Sequence, residues 1–336
     1  MNAREGFRQQ AAWCRAMAAP RTAALCAALA DGLSDASATG RRVLDWPRDT
    51  LADAVALRLV GGLNALRLAG TDGLDAAFSG APGDVDALVR AHDAALLPWL
   101  DSAPQTNEPQ RSAALMTGLL HVAARFGPRL DVIEIGSSAG LNLLLGRYRF
   151  ELGGVGVGPD DAALTMSPEW RGSPPPAGPV EIVGARGCDL RPIDLDDPAA
   201  EARVAAYIWV DNPERGERLH RAAALVRAHR VRIDRADAAD WVEARLAEPV
   251  AAPEDERGAT RVLMHSVTWQ YLPPETQARI TAAMARAGAA GPLAWVTMEP
   301  DRDLNAHRIG VRTWPDGEGR VVGTAHAHAR WIAHDG

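Results

Sequence analysis

Apolar positions from Phe7 to about Ala77 recur at three- and four-residue steps, with Ala and Leu dominant and β-branched residues few. That period predicts helices. Leu57, Leu59, Leu63, Leu66 and Leu68 mark a buried helical segment, with Gly61-Gly62 as its weak point. Asp84 opens another helix that runs through Leu96 to Leu100, a Pro-punctuated loop covers 102–112, and 112–126 reads as a further helix. Nothing before residue 130 alternates like a strand.

The texture then changes. Short apolar runs at 130–135, 180–183, 231–234, 261–265 and 292–298 predict strands, and they alternate with helical stretches at 197–209, 213–230 and 274–287. Residues 150–180 are rich in Gly and Pro and read as an insertion, and 251–258 reads as a loop. Segments 311–314 and 320–324, joined by the Pro-Asp-Gly-Glu-Gly turn at 315–319, predict a hairpin. Alternating strands and helices imply a parallel sheet with helices on both faces, and the closing hairpin implies an antiparallel strand at an edge. The organisation expected is a helical cap over 1–105 followed by an α/β core over 106–336.

Candidate chemistry concentrates in the first strand-turn-helix, Glu134-Ile-Gly136-Ser-Ser-Ala-Gly140-Leu-Asn142. Glycines there let the chain turn tightly and let a ligand approach the main chain, and the following helix start offers free N–H donors. The acid at the strand end suits a cation rather than a phosphate. S-adenosylmethionine carries an ammonium and a sulfonium and no phosphate, so a nucleoside-cofactor turn is one reading. A second is a nucleophile elbow, since Gly136 to Gly140 spells G-x-S-x-G with Ser138 as nucleophile. The helical first 130 residues and the absence of any His-Gly dipeptide count against that α/β-hydrolase. A third is a turn that only packs.

Further candidates follow the later strands. Asp189 in Gly187-Cys-Asp-Leu-Arg-Pro can accept both ribose hydroxyls, with Asp160 as runner-up at the usual spacing. Asp237 can meet an adenine amino group beside the Ala238 N–H, unless it or Asp240 caps the helix expected at Trp241. His265-Ser-Val-Thr-Trp-Gln-Tyr271 lies at the switch-point crevice where open α/β sheets bind ligands. Arg111, in Gln105-Thr-Asn107-Glu108-Pro-Gln-Arg, can hold a carboxylate bidentately. His326 and His328 share a strand face, but a metal needs more ligands than they supply, so none is expected.

Composition narrows the classes. Net charge is −7, and all 36 basic residues are Arg, so Lys chemistry, including a Schiff base or a phosphate-loop lysine, is excluded. The arginines are interleaved with acids, which disfavours nucleic acid. Three cysteines without C-x-x-C spacing give neither a disulfide framework nor a zinc site. No apolar run reaches membrane-spanning length and the start does not read as a signal peptide, so the expectation is a cytoplasmic protein away from membranes.

Four motifs together, Glu134-Ile-Gly-Ser-Ser-Ala-Gly-Leu-Asn, Gln105-Thr-Asn-Glu-Pro, Gly187-Cys-Asp-Leu-Arg-Pro-Ile-Asp and His265-Ser-Val-Thr-Trp-Gln-Tyr, resemble a bacterial family catalogued as domain of unknown function 2332, over nearly the whole chain. The family is similar to class I S-adenosylmethionine-dependent methyltransferases behind a helical N-terminal region. The resemblance implies a Rossmann-like methyltransferase sheet with a C-terminal antiparallel hairpin. It implies cofactor contacts from Glu134, Gly136, Gly140, Asp189 and Asp237; their neighbours Ser137, Leu190, Ala238 and Ser266, with Arg111 and His265, complete the candidate set. Ser138 stands where a methyltransferase turn carries its middle glycine. The function expected is methyl transfer to an oxygen or nitrogen of a small molecule, with His265, Glu108 and Glu299 as base candidates in that order. The alternative is a non-catalytic cofactor-binding sensor or scaffold. The acceptor and the oligomeric state are not legible.

Overall fold

The structure, a computed structural model, describes residues 1–250, 258–301 and 303–335. All but the last residue of the loop expected at 251–258 lies outside them. By contacts, the chain forms two compact units, Met1–Thr106 with Asp196–Leu219, and Asn107–Leu195 with His220–Gly336.

The first unit is helical. Its helices include Ala3–Ala16, Pro20–Gly32, Ala38–Leu44 and Val55–Leu68, and later Pro198–Ala206. Asn2 and Glu5 form a reciprocal capping box that satisfies two otherwise unpaired N–H groups at the first helix. Phe7, Leu25, Leu29, Leu59, Leu63 and Leu96 fill the core; each such side chain contributes about 1.5–3 kcal/mol on burial. Gly61 and Gly62 do not break their helix. A Cβ at 61 would stand 2.6 Å from the Tyr207 ring, and one at 62 would stand 2.9 Å from Trp99, so both glycines admit aromatic rings. Asp211 shows why Asp196–Leu219 belongs here and not with the core region to which its sequence position assigned it. Its carboxylate accepts from Arg21 N at 2.8 Å, Thr22 N at 3.0 Å and Thr22 Oγ1 at 2.6 Å, closing the start of Pro20–Gly32.

The second unit is mixed α/β around a large, mostly parallel sheet. Its strands are β1 (Arg129–Ile135), β2 (Arg149–Leu152), β3 (Val155–Val157), β4 (Thr165–Met166), β5 (Glu169–Gly172), β6 (Glu181–Asp189), β7 (Ile233–Arg235), β8 (Thr260–Ser266), β9 (Leu293–Asp301), β10 (Ala306–Trp314), β11 (Glu318–Ala325) and β12 (Trp331–His334). Nine form one sheet in the order β5-β12-β11-β10-β9-β8-β1-β6-β7, and β3-β2-β4 form a small second sheet. The run β7-β6-β1-β8-β9 is parallel throughout. Counted along the chain, those five strands have the order 3-2-1-4-5, which reverses between β1 and β8.

Trp295 and Val296 face opposite sides of the sheet, as successive strand residues must. Helix Ser112–Phe126 covers the Val296 side, where Gly118 lies too close to Val296 to admit a Cβ. Helices Ala238–Ala247 and Pro274–Gly288 cover the other side, with Ile133, Leu263, Trp295 and Ile280 between them. Register brings the strand ends level: Ile135 pairs with Cys188, Glu134 with Met264, and His265 with Thr297. Gly136, Asp189 and His265 therefore share the carboxyl edge.

Several expectations are corrected. The second strand runs on to Asp189 rather than ending at 183, because the Gly- and Arg-containing stretch is held by pairing with β1. The hairpin β10–β11 is not at the edge, since β12 and the parallel β5 extend the sheet beyond it. That places part of the expected insertion inside the main sheet. Leu141–Arg147 is a 3-10 helix, and the helix expected at Trp241 starts at Ala238.

Candidate functional site

The turn after β1 is built on left-handed backbone. Gly136 has φ +67°, Ser138 +53° and Gly140 +76°. A Cβ at Gly136 would run into the Thr268 side chain, and one at Gly140 would stand 2.9 Å from Val231 Cγ1. Both glycines are thus packed against protein, so their close approach is already taken up within the chain. Ser137 is buried and donates through Oγ to Glu134 O at 3.0 Å. Asp189 ties the turn to β6: its Oδ2 accepts from Ser138 N at 3.0 Å and its Oδ1 from Arg191 N at 2.8 Å. Asn107 Oδ1 accepts from Leu141 N at 3.2 Å, which holds Asn107 at this edge.

Glu134, the residue before the end of β1, is 1% exposed. Asn142 Nδ2 donates to its Oε1 at 2.8 Å and reaches Ser266 Oγ at 3.3 Å. Burial pushes the Glu134 carboxyl up to about 7, against the opposing pull of the Asn142 bond. Glu134 Oε2 and Asn142 Oδ1 are buried with no hydrogen-bond partner among the described residues. While Glu134 is ionised, both oxygens are acceptors without donors, which suits a donor-rich group such as an ammonium.

Across the sheet, His265 is 1% exposed and its Nδ1 lies 2.6 Å from Glu299 Oε1. Glu299 Oε1 also accepts from Thr268 N at 2.9 Å and Trp269 N at 3.2 Å. Burial alone would raise the Glu299 carboxyl, but the His265 bond and charge and the two N–H donors together hold it below its ordinary value. An ionised Glu299 accepts from Nδ1–H and so orients the ring, with Nε2 on its far side. That Nε2 is buried and unpartnered. Trp269 stacks on the imidazole at 5.3 Å with a 12° interplanar angle, and Trp295 meets it edge-on at 5.8 Å. Val267, β-branched, sits at φ +54° between His265 and Thr268. Such strain, of order 1–3 kcal/mol, collects at functional sites.

Arg111 is buried, and its Nε donates to Ala327 O at 2.9 Å. It acts electrostatically on Tyr271 and His307. Burial first, then Arg111, pushes His307 down to about 4 against the pull of Glu299, so the ring is neutral at pH 7 with an unpartnered buried Nδ1. Ser138 Oγ and Glu299 Oε2 are buried and unpartnered as well. Six such atoms therefore border one sheet edge, on Glu134, Ser138, Asn142, His265, Glu299 and His307. Buried polar atoms are normally paired, so this concentration marks a site.

Other candidates have different surroundings. Asp237 caps helix Ala238–Ala247, accepting from Ala239 N at 2.9 Å and Asp240 N at 3.2 Å, while Ala238 is buried. Asp160 pairs with Arg149 at 2.8 Å with its side chain 96% exposed, beside the small sheet. Leu190 is 66% exposed. Glu108 is buried and accepts from Gln110 N at 3.1 Å as a cap. His326 Nδ1 accepts from His328 N at 3.0 Å, and no group of three or more His, Cys, Asp or Glu among the described residues is placed to hold a metal. Among them, too, no helix is long and apolar enough to cross a membrane. Sequence reasoning gave Asn142 and His307 no role; Asn142 stood inside the turn motif, whereas His307 carried no local signal.

No curated protein matches the chain. A family model described as an uncharacterized protein conserved in bacteria, domain of unknown function 2332, matches residues 4–334. With nearly the full length covered, the chain belongs to that bacterial family.

Proposed function

We propose that the second unit binds S-adenosylmethionine at the carboxyl edge of β1, β6 and β8 and transfers its methyl group to an oxygen or nitrogen of a small molecule. One observation carries the reading: the unpartnered acceptors Glu134 Oε2, on the central strand of a parallel 3-2-1-4-5 order, and Asn142 Oδ1, in the 3-10 turn that follows it, lie at the carboxyl edge that Asp189 also ends. That order is the one used by nucleotide-binding doubly wound sheets, whose ligands sit at the reversal point. It supports a Rossmann-like methyltransferase architecture here.

The residues fit the cofactor at two ends. Glu134 and Asn142 offer acceptors to an ammonium. Asp189, with one N–H on each oxygen, keeps lone pairs for ribose hydroxyls. Over Gly136, Thr268 has to withdraw before a ligand can lie against the main chain. The cofactor supplies an electrophilic methyl group. The chain supplies position, which carries most of the rate in such displacements, and a proton acceptor. His265 Nε2 is that acceptor, oriented by Glu299. Glu299 acts through His265 and is not itself the base, and Glu108 is a cap. The test is conversion of S-adenosylmethionine to S-adenosylhomocysteine in the presence of a metabolite extract, read by mass spectrometry. Binding without conversion over a broad extract favours the sensor.

A second reading rests on Ser138. Its left-handed φ of +53°, its unpartnered Oγ and the His265–Glu299 pair are parts of a serine hydrolase. Ser138 Oγ and His265 Nε2 are not within hydrogen-bond distance, which ranks this below methyl transfer. Labelling of Ser138 by a fluorophosphonate would reverse the ranking.

A further inference from the structure

A groove of about 1110 Å³ in the second unit is lined by none of the six residues with unpartnered atoms, although Val231 on its wall packs against Gly140. It lies at the opposite, amino-terminal end of β6, lined by 143–147, 154–159, 177–185 and 229–232. Its volume is that of a small-molecule site. We propose that this groove binds a single-chain amphiphile with an anionic head, of the long-chain carboxylate kind.

Three features specify that occupant. The first is open apolar space. β7 pairs with β6 only over Gly187–Asp189, so the preceding part of β6 has a flank left uncovered by that strand. Leu143, Val155, Ile182 and Val231 line the space, and a Cβ at Gly154 or Gly178 would meet nothing within 4 Å. The second is charge. The protein carries −7 overall, yet the charged lining is Arg147, Arg230 and Arg232 against Glu181 alone. All three arginines are exposed at the rim. Glu181 lies 3.8 Å from Arg129, and Asp234, which feels Arg232, is already held by Arg186 and by Trp241 Nε1 at 2.7 Å. The third is the combination: apolar walls take a chain, and a cluster of guanidinium groups takes a carboxylate by charge-assisted bonds. The proposal does not depend on methyl transfer.

The experiment displaces 1-anilinonaphthalene-8-sulfonate from the full chain with dodecanoate, dodecanol or inorganic phosphate. Dodecanoate is expected to displace it at least about tenfold better than dodecanol, and phosphate is expected to have no effect. Arg147→Gln/Arg230→Gln should weaken dodecanoate about tenfold or more. Ala177→Trp, at an exposed lining position, should abolish binding with the circular dichroism spectrum and melting temperature unchanged. If that variant fails to fold, the arginine pair decides alone. Equal displacement by dodecanol, unchanged affinity in the arginine variant, or binding by a folded Ala177→Trp overturns the proposal. So does arginine-dependent co-sedimentation with phosphatidylglycerol vesicles without dodecanoate binding, which would assign the arginines to a membrane surface.

Discussion

Glu134→Gln separates what the buried carboxyl costs the fold from what it gives the site. In the folded chain this group titrates at about 7, against an ordinary value of 4.5, because burial disfavours its charge. A raised folded value means the folded state keeps a proton that the unfolded state has released. Stability therefore declines as pH rises from about 4.5 to about 7 and is flat above. At about 1.36 kcal/mol per pH unit, the rise from 4.5 to about 7 amounts to about 3 kcal/mol. Glutamine copies the protonated acid in shape, and its carbonyl can keep the 2.8 Å bond from Asn142 Nδ2. The variant should match the wild type near pH 5 and exceed it by as much as about 3 kcal/mol at pH 8. Urea unfolding of both proteins at pH 5, 6, 7 and 8 measures this, since the difference cancels every ionisable group they share. A difference that stays constant over that range refutes the buried, high-titrating carboxyl. The same variant should bind a cationic ligand more weakly, because the site has lost its anion.

Three further outcomes follow from the geometry. Asp189→Ala should weaken S-adenosylmethionine by about 1.5–3 kcal/mol in a calorimetric titration, the worth of a hydrogen bond to a charged group; unchanged affinity removes Asp189 from the ribose site. His265→Ala should cut turnover about 10²–10⁴-fold with little change in cofactor affinity. Loss of affinity with turnover per bound complex intact would make His265 a binding residue instead. Gly136→Ala should cost stability, since Gly136 holds φ +67° and faces Thr268. Pairing it with Thr268→Ala in thermal melts should recover part of the loss, and no recovery would mean that the backbone angle alone sets it.

What could be read from the sequence depended on whether the signal was local. Leu130 to Ile135 followed by glycines announces β1 and its turn, because an apolar run and a glycine turn are local facts. β6 was legible only over Val180 to Val183. From Gly184 to Asp189 it carries no β-branched residue and is held by its pairing with β1. The edge formed by β5 and β12 joins Trp170 to Ile332, far apart in sequence, and no local pattern carries such a pairing. Asp196–Leu219 has the same helical texture as its surroundings, and contacts distant in sequence, such as the Asp211 cap and the bonds from Asn64 to Ala206 and Ile208, reveal its unit. At the site, His265 and Glu299 were each singled out as a base. Their 2.6 Å contact depends on β8–β9 register, which decides that one orients the other. Asp237 illustrates the reverse case: an acid after a strand looks the same whether it meets a ligand or caps a helix, and here it caps.

The most direct test of the central claim is a calorimetric titration of the full chain with S-adenosylmethionine, repeated on folded Asp189→Ala. The account predicts saturable one-to-one binding that Asp189→Ala weakens. A well-folded wild-type protein that takes up no S-adenosylmethionine at any temperature tried, or binds it equally well without the Asp189 carboxylate, would contradict it.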